Sequence, residues 1–186
     1  MSTSLARLLC FTALTVSVAP VMATEHLTVT LSHPTEPSKT MRGYVVVTLL
    51  NDGDTDIVFH KFHTPNPANG RTANKLFEVY SGNRPIRFTG GMAHPGPETP
   101  TMFFTLKPGQ SQTATVYLRR DYDGIVVGPE TYRVKYIQRL GDYPRAAYPE
   151  DLSTLQPGDP RIPHAVESNE LELVVSYEAV GEESAF

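Results

Sequence analysis

Apolar and polar side chains alternate with a period of two through most of the chain, and Gly, Pro, Asn and Asp gather between the alternating runs. Successive side chains of an extended strand point to opposite faces, so this alternation predicts half-buried strands rather than helices. Leu27, Val29 and Leu31 alternate with His26, Thr28 and Thr30, and the run stops at Pro34. Residues 44–50 are apolar on both faces, which predicts a central strand. Asn51-Asp52-Gly53-Asp54 follows, built of residues that tolerate positive φ, and leads into residues 57–62. The strands on either side of it are expected to pair as a hairpin.

Residues 76–80 and 86–88 flank Ser81-Gly82-Asn83-Arg84 and predict a second hairpin-like pair, whereas residues 90–100 hold too much Gly and Pro for regular structure. Leu106-Lys107-Pro108-Gly109-Gln110 reads as a turn whose Pro presets φ and whose Gly takes the left-handed conformation. Beyond it Ala114, Val116 and Leu118 share one face, and Thr113, Thr115 and Tyr117 the other. Tyr132, Val134 and Tyr136 alternate with Arg133 and Lys135, and Leu171, Leu173, Val175 and Tyr177 close the pattern. Tyr132 and Val134 are expected to point inward beside Leu173 and Val175.

These elements predict an all-β fold, an immunoglobulin-like antiparallel β-sandwich of about seven to nine strands. The run from Gly128 and Pro129 to Tyr132 and Val134 fits the corner at the start of the penultimate strand, where a Tyr hydroxyl bonds back to upstream backbone. Val134 stands where antibody domains carry a cysteine, and the chain has no Trp, so the antibody subtype is excluded.

The first residues read differently. Arg7, the apolar run 8–18 and Val21-Met22-Ala23 match a signal peptide cut after Ala23, and the run is too short for a spanning helix, which needs about 20 apolar residues. The expected organisation is a signal peptide at 1–23, a single domain at 24–180 and an acidic tail at 181–186, which implies a periplasmic or secreted protein. Cys10 is the one cysteine. It lies in the signal, with Leu9 where a lipidation site needs a small residue, so the mature domain is expected to rely on its core without disulfides.

A long Pro-rich loop is predicted at 139–168, well past the ~12–15 residues that ordinary connections rarely exceed. Tyr143, Arg145, Tyr148 and Arg161 in it are the candidate partner-binding residues, because Tyr and Arg dominate interface hot spots. The net charge of -4 argues against nucleic acid or an anionic membrane as partner. Arg119-Arg120, followed at once by Asp121, is expected to be a solvated strand end.

Candidate chemistry is sparse. No His is followed by Glu, so the HExxH pattern that holds zinc and activates water is absent. His60 and His63 form HxxH, but on a strand that spacing sends the rings to opposite faces, and a chelate with His94 would need a bend. Ser111 lacks the flanking glycines of a nucleophile elbow, and no phosphate-binding Gly-rich loop occurs. Asp121 and Asp123 read as solvated surface acids, and Asp52, Asp54 and Asp56 lack the distal Glu of a calcium loop. The residues predict no catalytic group, no metal and no cofactor.

A string of short motifs adds a family. Leu76-Phe77-Glu78-Val79 with Gly82 and Phe88-Thr89-Gly90, the Leu106-to-Ser111 turn, Leu118 through Tyr122-Asp123, Gly128 with Tyr132 to Tyr136, and Ser168-Asn169 before the last strand occur in order. Asn51-Asp52-Gly53-Asp54 and Thr64-Pro65 fit upstream. In this order and spacing the region 27–175 resembles the N-terminal pro-domain of the deuterolysin-like, or aspzincin, zinc endopeptidases, which include the peptidyl-Lys metalloendopeptidases. The peptidase domain expected after such a pro-domain, with its HExxH, is missing from these residues. The resemblance implies a non-enzymatic binding protein that inhibits, or helps fold, an exported metallopeptidase supplied as another chain. An envelope or extracellular module that binds cell-surface material is the alternative, and an enzyme or metal carrier that uses His60, His63 and His94 is the third reading.

Overall fold

A computed structural model describes residues 26–92, 99–125, 130–138 and 166–176. The expected signal peptide, His94, the tail, and Tyr143, Arg145, Tyr148 and Arg161 lie outside the described residues. Among those residues the fold is all-β. Its strands are β1 (Leu27–Ser32), β2 (Tyr44–Asn51), β3 (Ile57–His60), β4 (Phe77–Ser81), β5 (Arg84–Pro85), β6 (Arg87–Phe88), β7 (Phe103–Leu106), β8 (Ser111–Tyr117), β9 (Tyr122–Asp123), β10 (Glu130–Gln138) and β11 (Val166–Val175). One short helix, α1 (Pro37–Met41), joins β1 to β2.

The larger sheets run β1-β2-β8 and β11-β10-β4-β5, and every pairing is antiparallel. That order is A-B-E facing G-F-C-C′, the arrangement of an immunoglobulin-type sandwich. The alternation produces it directly. In β2, Val45, Val47 and Leu49 are buried while Tyr44, Val46, Thr48 and Leu50 are only half-buried. They meet Val79, Tyr132, Val134, Leu173 and Val175 in one hydrophobic core. Tyr132 lies opposite Leu173 and Val134 opposite Leu171, so the inward register expected of these strands holds. The Tyr132 hydroxyl lies 3.3 Å from the Gly124 carbonyl, the upstream backbone contact expected of the corner, but closer, at 2.7 Å, to Glu130 Oε2, a partner the motif did not predict.

Three expectations need correction. β2 and β3 do not pair with each other: both edges of β2 are already taken by β1 and β8, and β3 pairs with β7. The turn between them uses no positive φ, since among the described residues only glycines adopt it and Gly53 is not one of them. Instead the Asn51 side chain closes the turn, accepting from the Gly53 N–H at 3.1 Å. The second hairpin is also short, because β4 holds only Arg84 and Pro85 of the returning strand before Arg87 and Phe88 leave to pair with β9. Finally, the predicted loop at 139–168 ends early, since β11 already starts at Val166 and includes Ser168.

Gly109 does take the left-handed conformation (φ +75°) predicted for its turn. At Gly70 φ is +63°, and a Cβ there would sit 1.8 Å from the Thr115 carbonyl oxygen, so only glycine fits. Its loop is thereby pressed against β8, closed on itself by the Asn66-to-Arg71 and Gly70-to-Asn66 backbone bonds.

Candidate functional site

Tyr122, Phe77, Ser168 and Asn169 sit at joints of the sandwich. Tyr122 is buried, and its hydroxyl donates to the Phe77 carbonyl at 2.6 Å while accepting the Phe77 N–H at 3.1 Å. Both backbone groups of Phe77 thus bond to one side chain from β9. Burial of that hydroxyl pushes its pKa far above the usual phenol value, outweighing the Phe77 hydrogen bond, so it stays a neutral donor.

Ser168 and Asn169 act at a β-bulge. The β10–β11 register slips between Lys135 and Ile137, which removes the ladder partner of the Tyr136 N–H, and Ser168 Oγ accepts that proton at 2.9 Å. Asn169 then bridges the two sheets. Its Oδ1 accepts from the Leu31 N–H at 2.8 Å and its Nδ2 donates to the Leu31 carbonyl at 3.1 Å. A side-chain amide here does what a neighbouring strand would do for β1.

Asp121 departs from the solvated acid expected. It is 7% exposed, held by the Arg120 guanidinium fork at 3.1 and 2.9 Å and by the Thr72 hydroxyl at 3.1 Å. Arg120 also donates to the Gly70 carbonyl at 3.3 Å. The Arg119-Arg120 pair is therefore not a free basic end: Arg120 ties the Gly70 loop to the 3-10 turn after β8. Asp52 bonds to His26 and Thr28 through its two carboxylate oxygens.

Among the described residues, two histidines come together where β3 ends. The 3-10 turn Lys61–His63 supplies the bend that HxxH needed, and it brings the His60 and His63 rings to 5.2 Å between centroids, both buried. His60 packs edge-on against Phe103 at 4.9 Å. Burial holds both imidazoles below the ordinary histidine pKa, and for His63 burial and then the neighbouring His60 bring it to about 4. Both rings are neutral near pH 7.

Their tautomers follow from their partners. His60 Nδ1 accepts the Phe62 N–H at 3.1 Å, which leaves the ring proton on Nε2. Asn74 Nδ2 donates to the Phe62 carbonyl at 3.1 Å, and its second proton faces His63 Nδ1 at 3.2 Å, placing the His63 proton on Nε2 as well. A metal-bound histidine normally donates from its second nitrogen. Here both Nδ1 atoms accept, so the arrangement suits donation from Nε2 to an acceptor better than ligation through Nε2. His60 Nε2 has no hydrogen-bond partner among the described residues. Among them, no group of three or more His, Cys, Asp or Glu side chains is gathered as a metal ion would require.

Beside this turn a cleft of about 280 Å³ is lined by Lys61, Thr64, Asn66, Pro67, Phe104 and Gln112, with Lys61 Nζ tied to the Thr101 carbonyl at 2.6 Å. A second, more apolar cleft of about 360 Å³ lies between α1 and the end of β11, lined by Pro34, Pro37, Met41 and Val174 among others. Among the described residues no helix is long and apolar enough to cross a membrane. Compared with known proteins, the chain matches no family model, and no curated protein matches it.

Proposed function

We propose that the protein is an exported, non-enzymatic binding module, a stand-alone counterpart of a deuterolysin-like pro-domain that holds a separate exported metallopeptidase inactive or assists its folding. One observation carries the reading. The motif residues that resemble the pro-domain, dispersed along the sequence, bond to one another in space: Tyr122 to Phe77, and Ser168 to Tyr136. Each piece alone is common in immunoglobulin-like domains, so the reading rests on their order and spacing together with these contacts. Tyr122 and Ser168 are engaged in these joints, and Asp121 is held by Arg120 and Thr72.

Partner contact is assigned to Tyr143, Arg145, Tyr148 and Arg161, whose side chains combine large contact area with forked hydrogen bonding. The test is a titration of the mature protein against the catalytic domain of a deuterolysin-like peptidase from the same source, prepared without its own pro-domain. Peptide hydrolysis should fall to background at one-to-one stoichiometry, or the yield of active peptidase on refolding should rise. Hydrolysis and refolding both unchanged at tenfold excess would remove the peptidase reading.

A further inference from the structure

The two outer faces of the sandwich have opposite chemistry. On the four-stranded sheet Arg133 pairs with Glu170 at 3.4 Å, Lys135 pairs with Glu167, and the Arg133 guanidinium lies 5.6 Å from the Tyr80 ring centre. That is an ordinary solvated face, for which charged residues at roughly 25–35% are usual. On the three-stranded sheet no outward position of β1, β2 or β8 is Asp, Glu, Lys, Arg or His.

Register sets what stands there instead. Thr30, Thr48 and Thr113 form one row across the three strands, and the Thr48 and Thr113 hydroxyls are 3.2 Å apart. The next row holds Ser32 and Thr115 on either side of Val46. At the end Tyr44 and Tyr117 face each other across the strands, stacked at 4.5 Å with 21° between ring planes. Thr30, Ser32, Thr113 and Thr115 are exposed. With neighbouring strands about 4.8 Å apart and same-face residues about 6.8 Å apart along each strand, the hydroxyls stand in rows at regular spacing, interrupted on β2 by Val46.

Thr alone would be explained by its strand propensity, but propensity does not account for a face whose strands carry no charged side chain and which meets charge at one end, where Thr28 bonds to Asp52 beside His26, when the other face is laced with ion pairs. A second copy of the chain, or a protein surface of average composition, is a poor cover, because each hydroxyl left buried without a partner costs about 1–3 kcal/mol. A neutral polyhydroxyl surface satisfies these rows, presents no charge to be matched, and lays its C–H faces on aromatic rings. We propose that the outer face of β1, β2 and β8 binds an uncharged, extended polysaccharide. The inference does not rest on the peptidase reading, since it concerns different residues on a different surface.

Co-sedimentation of the mature protein with washed microcrystalline cellulose and with insoluble chitin, both neutral polysaccharides, tests it. Retention on either is expected, and Thr30→Glu with Thr113→Glu should weaken it by roughly tenfold or more with the melting temperature unchanged. Glu172→Gln, on the opposite face, should leave retention as it was. No retention on either polymer, or equal retention of the double variant, would overturn the proposal. So would a dimer that the double variant dissociates, because the face would then belong to a second copy.

Discussion

Replacing Asn51 by Asp changes a single side-chain atom from donor to acceptor at a position with no solvent exposure. The native amide Nδ2 donates to the Thr55 carbonyl at 2.7 Å and to the Leu106 carbonyl at 2.8 Å. Asn51→Asp leaves both carbonyls facing a carboxylate oxygen, while the bond from Gly53 N–H to Oδ1 can persist. Two buried acceptors without donors cost about 1–3 kcal/mol each, so a loss of roughly 3–5 kcal/mol is expected near pH 7. For a domain of this size that is about 6–20 °C in Tm. The buried carboxyl takes up a proton more readily in the folded state than in the unfolded chain, so its folded pKa rises above the ordinary ~3.9. Stability of the variant relative to wild type must then be greatest below that ordinary value and fall as pH rises through the folded pKa. Urea unfolding of wild type, Asn51→Ala and Asn51→Asp at pH 4 and pH 7 measures this. An Asp variant within about 0.5 kcal/mol of wild type at pH 7, or one whose deficit does not grow from pH 4 to pH 7, would refute the assignment of Asn51 as the bridge between β2 and β7.

Three further outcomes follow from the same geometry. His63 is held neutral with a pKa of about 4, below the histidine value in an unfolded chain. The unfolded state binds the extra proton between about 6.5 and 4, so stability should fall as pH drops through that window by up to about 3 kcal/mol, and His63→Gln should flatten the acid limb of a Tm-versus-pH curve. Asn169→Ala removes the two bonds to Leu31, costing about 1–2 kcal/mol, and hydrogen exchange should report faster loss of the Leu31 amide while core amides of β10 keep their protection. Gly70→Ala drives a Cβ into the Thr115 carbonyl, so limited proteolysis should open the loop around Asn66 and Arg71 before the sandwich unfolds.

The all-β class was legible because period-two alternation reports directly on which side chains a sheet buries, and Val134 and Leu173 sit where that period places them. Pairing was less legible. Alternation says which face a strand buries but not which neighbour it finds, so β2 and β3 read as a hairpin although β8, 60 residues further on, had the better-matched edge. Asn51, Ser168 and Asp121 also escaped, for a common reason: each is a polar residue at a buried position, and sequence alone does not reveal the backbone group that satisfies it. Ser168 and Asn169 lie in the polar run Glu167 to Glu170, which carries no alternation, so the first half of β11 read as the end of the loop. For the histidines, the HxxH spacing identified the pair, and the bend that joins them depended on the 3-10 turn at Lys61–His63. Hydrogen-bond donors to both Nδ1 atoms, invisible in the sequence, then turned the chemistry away from metal ligation.

The claim that this is a pro-domain-like partner for a separate peptidase is tested most directly by affinity capture. The mature protein, immobilised and exposed to the secreted fraction of its own source, is compared with a variant in which residues 143–161 are replaced by a short Gly/Ser linker, bound chains being identified by mass spectrometry. The account predicts a zinc endopeptidase carrying HExxH on the first column and its loss from the second, with both proteins unfolding cooperatively. Capture of no peptidase chain by the intact protein, or equal capture of the peptidase by the loop-replaced variant, would contradict it.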